Sequence, residues 1–296
     1  MLKILPGSVR GILSLLFYTL NTFFWGIPIF ILTVIKMLIP IKSVKKQCSR
    51  MLNGCACYWI GVNTLNQSIF SPVKWDVSGT ENLKKDDWYM VLANHQSWVD
   101  ILVLQRIFHR KIPFLKFFLK KELIWFPLLG QIWWALDFPF MKRYTKSYLK
   151  KNPHKMGKDI EITRKACKKF QTIPVSIMSF VEGTRFTKEK HARQRSPYDN
   201  LLRTKAGGIA FVLGAMGSQL SRVLDVTIVY PNGKKTFWQF LCGQVDEIRV
   251  RVASYPVTEE ILGDYTSDVQ YRKKFQAWLN RLWFEKDEKI NNLLLS

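Results

Sequence analysis

Trp88-Tyr89-Met90-Val91-Leu92-Ala93 is a short apolar run, followed directly by Asn94-His95-Gln96-Ser97-Trp98-Val99-Asp100 and then by Ile101-Leu102-Val103-Leu104. The first run is too short for a free-standing helix and reads as a strand buried on both faces. Residues 100–107 read as helix, so the segment predicts strand, turn and helix in succession. Outward from it the alternation recurs. Residues 73–77 alternate apolar and polar up to Gly79, as a half-exposed strand does. Residues 174–181, 223–230 and 248–252 are further strand candidates, the second halted by Pro231. Residues 116–122, 158–170, 207–220 and 270–289 read as helices. Strands alternating with helices predict an α/β sheet domain, and no linker or internal repeat divides it. The simplest division is an N-terminal anchor with a basic collar over 1–60 and one catalytic-size domain over 61–296.

Charge narrows the choice of partner. The chain has 45 Lys and Arg against 22 Asp and Glu, with 48% hydrophobic and 23% charged residues, which excludes a disordered or low-complexity chain. The surplus is patched. Residues 1–75 carry eight bases and no acid, residues 142–169 eleven and two, and residues 185–205 seven and two. Such patches suit nucleic acid, an anionic membrane surface or a phosphorylated substrate. Residues 11–35 are 25 uncharged residues rich in Leu, Ile and Phe, enough to cross ~30 Å of hydrocarbon. No small-residue cleavage site follows, which disfavours a signal peptide. Lys36, Lys42, Lys45, Lys46 and Arg50 come next, and the positive-inside bias puts the remainder on the cytoplasmic side. Gly26 and Pro28 leave a re-entrant or interfacial anchor as the alternative to a straight span. Five cysteines without a C-x-x-C pair predict free thiols and no metal site.

Chemistry has few places to sit. The chain lacks a G-x-S-x-G elbow, a P-loop, a G-x-G-x-x-G and an H-E-x-x-H. Of four histidines only His95 follows a buried strand and opens a helix, where α/β sheets build sites. A plain reading makes Ser97 an N-cap and Asp100 its capping-box partner at N3. The chemical reading is compatible with it: a turn between His95 and Asp100 lets the carboxylate hold one ring nitrogen and leave the other as a general base. A second feature is Glu182-Gly183-Thr184-Arg185 at a strand end, where backbone amides and a forked guanidinium can meet an anion. A third is Phe140-Met141-Lys142-Arg143, two cations after a rigid apolar turn.

Together these blocks resemble the glycerolipid acyltransferase family, the lysophosphatidic acid acyltransferases and their relatives. Asn94-His95-Gln96-Ser97 with Asp100 is similar to its H-x4-D block, and Glu182 to Arg185 to its Glu-Gly-Thr-Arg block. Phe140 to Arg143 looks like its Phe-x-x-Arg block, with Lys142 where members often carry an acid. Residues 226–231 look like its strand ending in Pro, and Lys205-Ala206-Gly207 like its Lys-x-Gly stretch. The ordered set covers residues 73–255. The resemblance implies a mixed sheet flanked by helices, preceded by a hydrophobic membrane helix. It also implies direct acyl transfer from acyl-CoA or acyl-carrier protein to a lysophospholipid hydroxyl, first of all that of 1-acylglycerol-3-phosphate, without a further cofactor. His95 would be the base and Asp100 its orienting partner. Arg143, Arg185 and the amides near Gly183 would hold the acceptor phosphate, and Glu182 would position the glycerol. Asn94, Ser97, Thr184 and Lys205 complete the substrate-binding set implied by motif position.

On that reading residues 123–141, mostly apolar but broken by Pro127, Gly130, Asp137 and Pro139, do not cross the membrane. A crossing would put His95 and Glu182 on opposite faces. The segment is expected to face lipid or the core and to line the acyl site. The implied place of action is an anionic membrane surface, the cytoplasmic face of a bacterial inner membrane, with acyl-carrier protein as a possible partner. Two rivals remain. Another lysolipid, lysophosphatidylglycerol or lysocardiolipin, would use the same base. A basic membrane-anchored adaptor for nucleic acid or acidic protein would need exposed aromatics interleaved with the bases, and 142–169 offers only Tyr144 and Tyr148.

Overall fold

The structure, a computed structural model, describes residues 5–141 and 158–295. It opens with a helical hairpin, α1 (Gly7–Leu38) and α2 (Lys42–Phe70). The pair is patterned inside out. The face that α1 buries is Gly11, Ser14, Tyr18, Asn21, Thr22, Gly26, Ile29 and Thr33, mostly small or polar. Those polar groups are satisfied across the seam: Ser14 Oγ donates to Asn66 Oδ1 at 2.9 Å, Asn21 Nδ2 to Asn63 Oδ1 at 2.8 Å, and Gln67 Nε2 to Tyr18 Oη at 3.1 Å. Ile12, Leu16, Leu20, Phe23, Phe24, Ile27, Phe30 and Ile31 point outward, each more than half exposed. Small residues inward and large apolar ones outward is the packing expected against lipid rather than water. α1 runs unbroken through Pro28.

The domain follows as β1 (Lys74–Ser78), β2 (Tyr89–Ala93), α3 (Val99–Phe108), β3 (Leu115–Phe117), β4 (Leu119–Lys120), α4 (Leu129–Ala135), β5 (Phe140–Met141), α5 (Lys158–Phe170), β6 (Ser176–Phe180), α6 (Lys188–Gln194), α7 (Ala206–Met216), β7 (Arg222–Val229), α8 (Phe237–Leu241), β8 (Glu247–Pro256) and α9 (Val269–Leu295). Six strands form a mixed sheet in the order β1-β8-β7-β2-β6-β3, parallel except for the β7–β8 pair, while β4 and β5 pair separately. β2 lies near the centre, which is why its five residues are all buried and apolar. On one face Met90, Leu92 and Ile177 pack under α5, α7 and α9. On the other, Val91, Ala93 and Met178 pack under α3, with Tyr18 of α1 and Phe240 of α8 in the same cluster.

The predicted strands and the helices at 100–107, 158–170, 207–220 and 270–289 are present, with ends shifted by a few residues. Residues 116–122 are not helical. They form the edge strand β3, then β4, then a 3-10 turn at Lys121–Trp125. Lys116 misled the pattern: its stem is buried and its ammonium lies 5.4 Å from the centre of the Phe170 ring. The short helices α6 and α8 carry too few turns for periodicity to show. α2 continues to Phe70, across the 60/61 division. Residues 123–141 hold only a short 3-10 turn, the seven-residue α4 and β5, so no helix there is long enough to cross a bilayer. Lys142 and Arg143 lie outside the described residues.

α9 closes the sheet with a buried charge. Lys286 Nζ lies 2.7 Å from Asp225 Oδ1 and donates to the Val226 carbonyl at 2.7 Å, with both side chains at most 1% exposed. Removing one partner of such a pair strands the other charge, at a cost of about 3–5 kcal/mol. Lys286→Met should therefore sharply lower the unfolding midpoint in denaturant. Adding Asp225→Asn should restore most of the loss. Full stability of Lys286→Met alone would show that the pair does not hold α9 down.

Candidate active site

Strand register gathers the site. β2 and β6 run parallel with Ala93 opposite Phe180, and β2 and β7 with Ala93 opposite Val226. Two residues beyond those pairs, His95, Glu182 and Ile228 reach one edge of the sheet, and Tyr230 stands two residues further on. The loops are tied together there. Val181 N donates to the Ala93 carbonyl at 3.2 Å, and Phe186 N to the His95 carbonyl at 2.7 Å.

Asp100 organises the turn. It is fully buried, and its Oδ2 receives Gln96 N at 2.6 Å, Ser97 N at 2.9 Å and His95 Nδ1 at 2.8 Å. Its Oδ1 accepts from the Tyr230 hydroxyl at 2.6 Å. An oxygen already accepting two amides makes Nδ1 the donor, which fixes the tautomer and leaves Nε2 with the lone pair. Among the described residues Nε2 bonds to nothing. Phe180 stacks on the imidazole at 3.7 Å between centres, 9° from parallel, and holds the ring in plane. The Tyr230 phenol keeps its proton, because burial and the neighbouring Asp100 charge push it well above its usual range. Tyr230 was missed from sequence. Its only signal was its place at the end of the fourth block.

The capping box forms by half. The Asp100 carboxylate does take Ser97 N, but Asp100 N bonds the Ser97 carbonyl and Ser97 Oγ receives Val99 N. The helix begins at Val99 with Trp98 as its cap residue. Ser97 Oγ donates to the Lys235 carbonyl at 2.8 Å, so it joins the turn to the loop after β7 rather than facing a ligand.

Three further expectations are corrected. Glu182 is 0% exposed, and its two oxygens accept His95 N at 2.9 Å and Leu202 N at 3.0 Å. It braces the backbone under the histidine and is out of reach of a glycerol. Asn94 is also 0% exposed: it donates to the Ile228 carbonyl and accepts Ile228 N, both at 2.9 Å, adding a rung between the β2 and β7 ends. The Gly183 amide donates to the Phe180 carbonyl at 2.8 Å and is not open to an anion. Gly183 sits at φ +65°, and a Cβ there would come within 2.9 Å of Lys205 Cδ, so the fold brings these two predicted residues together. Thr184 Oγ1 accepts from Lys190 Nζ at 2.9 Å. The Arg185 guanidinium rests 4.6 Å above the Trp98 ring, partly exposed beside the histidine turn.

The profile of the family described as Acyltransferase matches residues 74–231, from the first strand to Pro231, a span that holds every residue of this turn. The chain belongs to the Acyltransferase family. It is 27% identical over 213 residues to 1-acyl-sn-glycerol-3-phosphate acyltransferase gamma of Mus musculus, covering 67% of this chain and 51% of the relative. It is 26% identical over 218 residues to 1-acyl-sn-glycerol-3-phosphate acyltransferase 3 of Arabidopsis thaliana, covering 67% and 54%. The chain thus spans about half the length of these curated relatives. The crystal structure of the 1-acyl-sn-glycerophosphate (LPA) acyltransferase of Thermotoga maritima has the same fold, with a TM-score of 0.51, 18% identity, and coverage of 94% of this chain and 97% of that one.

Within the Acyltransferase fold, the Glu182 carboxyl is measurable through stability. Burial pushes it up to about 8, against the pull of two amides and Lys286. A carboxyl raised in the folded state binds its proton more tightly there than when unfolded. Its contribution is thus complete below about pH 4.5 and lost as pH rises to about 8. Wild-type stability should fall by several kcal/mol more than that of Glu182→Gln across this window. The variant should be less stable at pH 4.5, since its amide cannot accept from both backbone groups. Equal slopes in denaturant titrations at a series of pH values would contradict the assignment.

Proposed function

We propose that the protein transfers an acyl group from a thioester donor to the free hydroxyl of a lysophospholipid, with 1-acylglycerol-3-phosphate as acceptor. The observation that carries this is the His95–Asp100 pair, with the tautomer fixed and Nε2 unbonded among the described residues, beside a partly exposed arginine. Nε2 takes the proton of the acceptor hydroxyl as its oxygen attacks the thioester carbonyl. The thiolate leaves and the proton returns to it through the imidazolium. Asp100 keeps the ring oriented and offsets its transient charge. General-base assistance of this kind contributes about 10²–10⁴ in rate, and positioning of the two substrates supplies the rest. The acceptor follows from the names of the relatives and from Arg185, whose fork matches a phosphate. The donor, acyl-CoA or acyl-carrier protein, binds as a substrate.

The membrane attachment we infer is interfacial. Along its length α1 touches the domain repeatedly: Gly11 packs under Cys242 and Trp238 next to α8, Tyr18 enters the core, Gly26 meets Leu128 and Ile132, and Lys36 pairs with Asp137. Residues 11 and 36 of one helix are separated by about 37 Å. A helix fastened to one domain at both ends lies along the bilayer face instead of threading ~30 Å of hydrocarbon. Exposed Trp125, Phe126, Trp134 and Trp238, close to those contacts, suit the headgroup layer.

Two outcomes are expected. His95→Ala should lose at least 99% of acyl transfer to labelled product while keeping the wild-type melting point. Asp100→Asn should lose nearly as much and also melt lower, since four donors converge on that carboxylate. A tenth of wild-type turnover in His95→Ala would remove it as the base. For topology, Ser8→Cys in the first turn of α1 and Ser43→Cys in the first turn of α2 should react with an impermeant maleimide from the same side of sealed vesicles. Labelling from opposite sides would mean that α1 crosses.

A further inference from the structure

Three cations meet on the loop that carries Arg185, and two of them lie outside the Glu-Gly-Thr-Arg block itself. Lys190 reaches back from α6 to donate to Thr184 Oγ1 and to the Arg185 carbonyl, each at 2.9 Å. Lys234, on the loop after β7, donates to the Phe186 carbonyl at 2.6 Å, with its ammonium 5.4 Å from the centre of the Phe186 ring. Consecutive residues 184, 185 and 186 therefore anchor two ammonium groups beside the guanidinium that lies on Trp98. Every anchoring atom is a neutral oxygen, so the bonds fix the positions of the charges without cancelling them. No carboxylate among the described residues comes within ion-pair distance of the three. Glu189, an exposed acid close enough for Lys234 and Lys190 to help hold its carboxyl down, is hydrogen-bonded to Thr187 and its own amide. Asp100 lies below, already bonded to four donors. Like charges gathered this way repel one another, by ~1 kcal/mol or more per close pair. A bound anion removes that repulsion.

Resting on the acyl-transfer reading, we propose that Arg185, Lys190 and Lys234 form a cradle for a phosphate monoester, and that Lys190 and Lys234 select it over a phosphodiester. A monoester carries close to two negative charges at neutral pH, and a diester carries one. Arg185 alone gives a fork that suits either. The two ammonium groups add attraction that scales with ligand charge, so a free terminal phosphate gains roughly twice what a diester gains. The loop after β7 thereby becomes a specificity element. Two molecules of the proposed reaction can present this chemistry, the lysolipid with a terminal phosphate and a coenzyme A donor through its ribose phosphate.

The test is the double variant Lys190→Gln with Lys234→Gln. It removes both charges and leaves a polar amide on each side chain. Michaelis constants are measured for 1-acylglycerol-3-phosphate, for lysophosphatidylglycerol, and for acyl-CoA with and without its 3′-phosphate. Binding of glycerol 3-phosphate is followed separately by calorimetry. The expected result is a rise of at least tenfold in the constant for the monoester lysolipid, with a rise below threefold for the diester. A tenfold rise for acyl-CoA that vanishes when the 3′-phosphate is absent, with both lysolipids unmoved, would assign the same cradle to the donor. Lys273→Gln with Lys274→Gln, on the exposed side of α9, removes equal charge and should move none of these values. Equal changes for monoester and diester, or no change in any constant, would overturn the proposal. If the wild type binds glycerol 3-phosphate, the double variant binds it tenfold more weakly, and neither transfers an acyl group, the cradle stands and the acyl-transfer reading falls.

Discussion

Asp100 and Glu182 are acidic side chains shut away from water at one edge of the sheet, and each has to be answered by donors the chain can supply. Between them they take three backbone amides of the turn after β2, one amide before α7, an imidazole and a phenol. That demand dictates the path of residues 94–97. It also explains why β2, β6 and β7 must be neighbours, since each brings one partner of the set to the same edge. The histidine is held from its amide, its ring nitrogen and its ring face at once. Little conformational freedom is left for it to lose when a substrate arrives.

The N-terminal hairpin solves a different problem with the opposite pattern. Polar side chains pair along the α1–α2 seam, while Leu, Ile and Phe cover the outside. In water such a helix would expose its greasiest face. Tyr18 connects this hairpin to the core that also holds Val91 and Ala93, so the surface proposed to meet the membrane and the strand that presents His95 share one packed layer.

Much of the catalytic edge was legible in the residues. The apolar run before Asn94, the turn to Asp100 and the strand before Glu182 all stand where the pattern placed them, because strands buried on both faces write themselves as unbroken apolar runs. What could not be read was direction. An acid at a strand end looks solvated until the register shows both its oxygens turned inward, as with Glu182. Tyr230 meets Asp100 only once β7 is known to lie beside β2, a pairing that spans 130 residues. α2 was underestimated because Asn63, Asn66 and Gln67 suggest a polar surface, yet they face the seam. Lys116 looked like a helix-surface lysine and is an edge-strand residue with a buried stem.

The pair that fastens α9 also makes the site depend on a distant part of the chain. Asp225 sits in a strand whose other residues beyond Arg222 are all buried. Its cation arrives on a helix some sixty residues later, Lys286 lying 60 positions beyond Val226. Without α9 that carboxylate would lose its ion pair in the middle of β7, the strand that lies against β2. The edge carrying His95 is built on those same two strands. A truncation that removed α9 would therefore keep every residue of the motif and yet leave a bare charge inside the sheet that carries it.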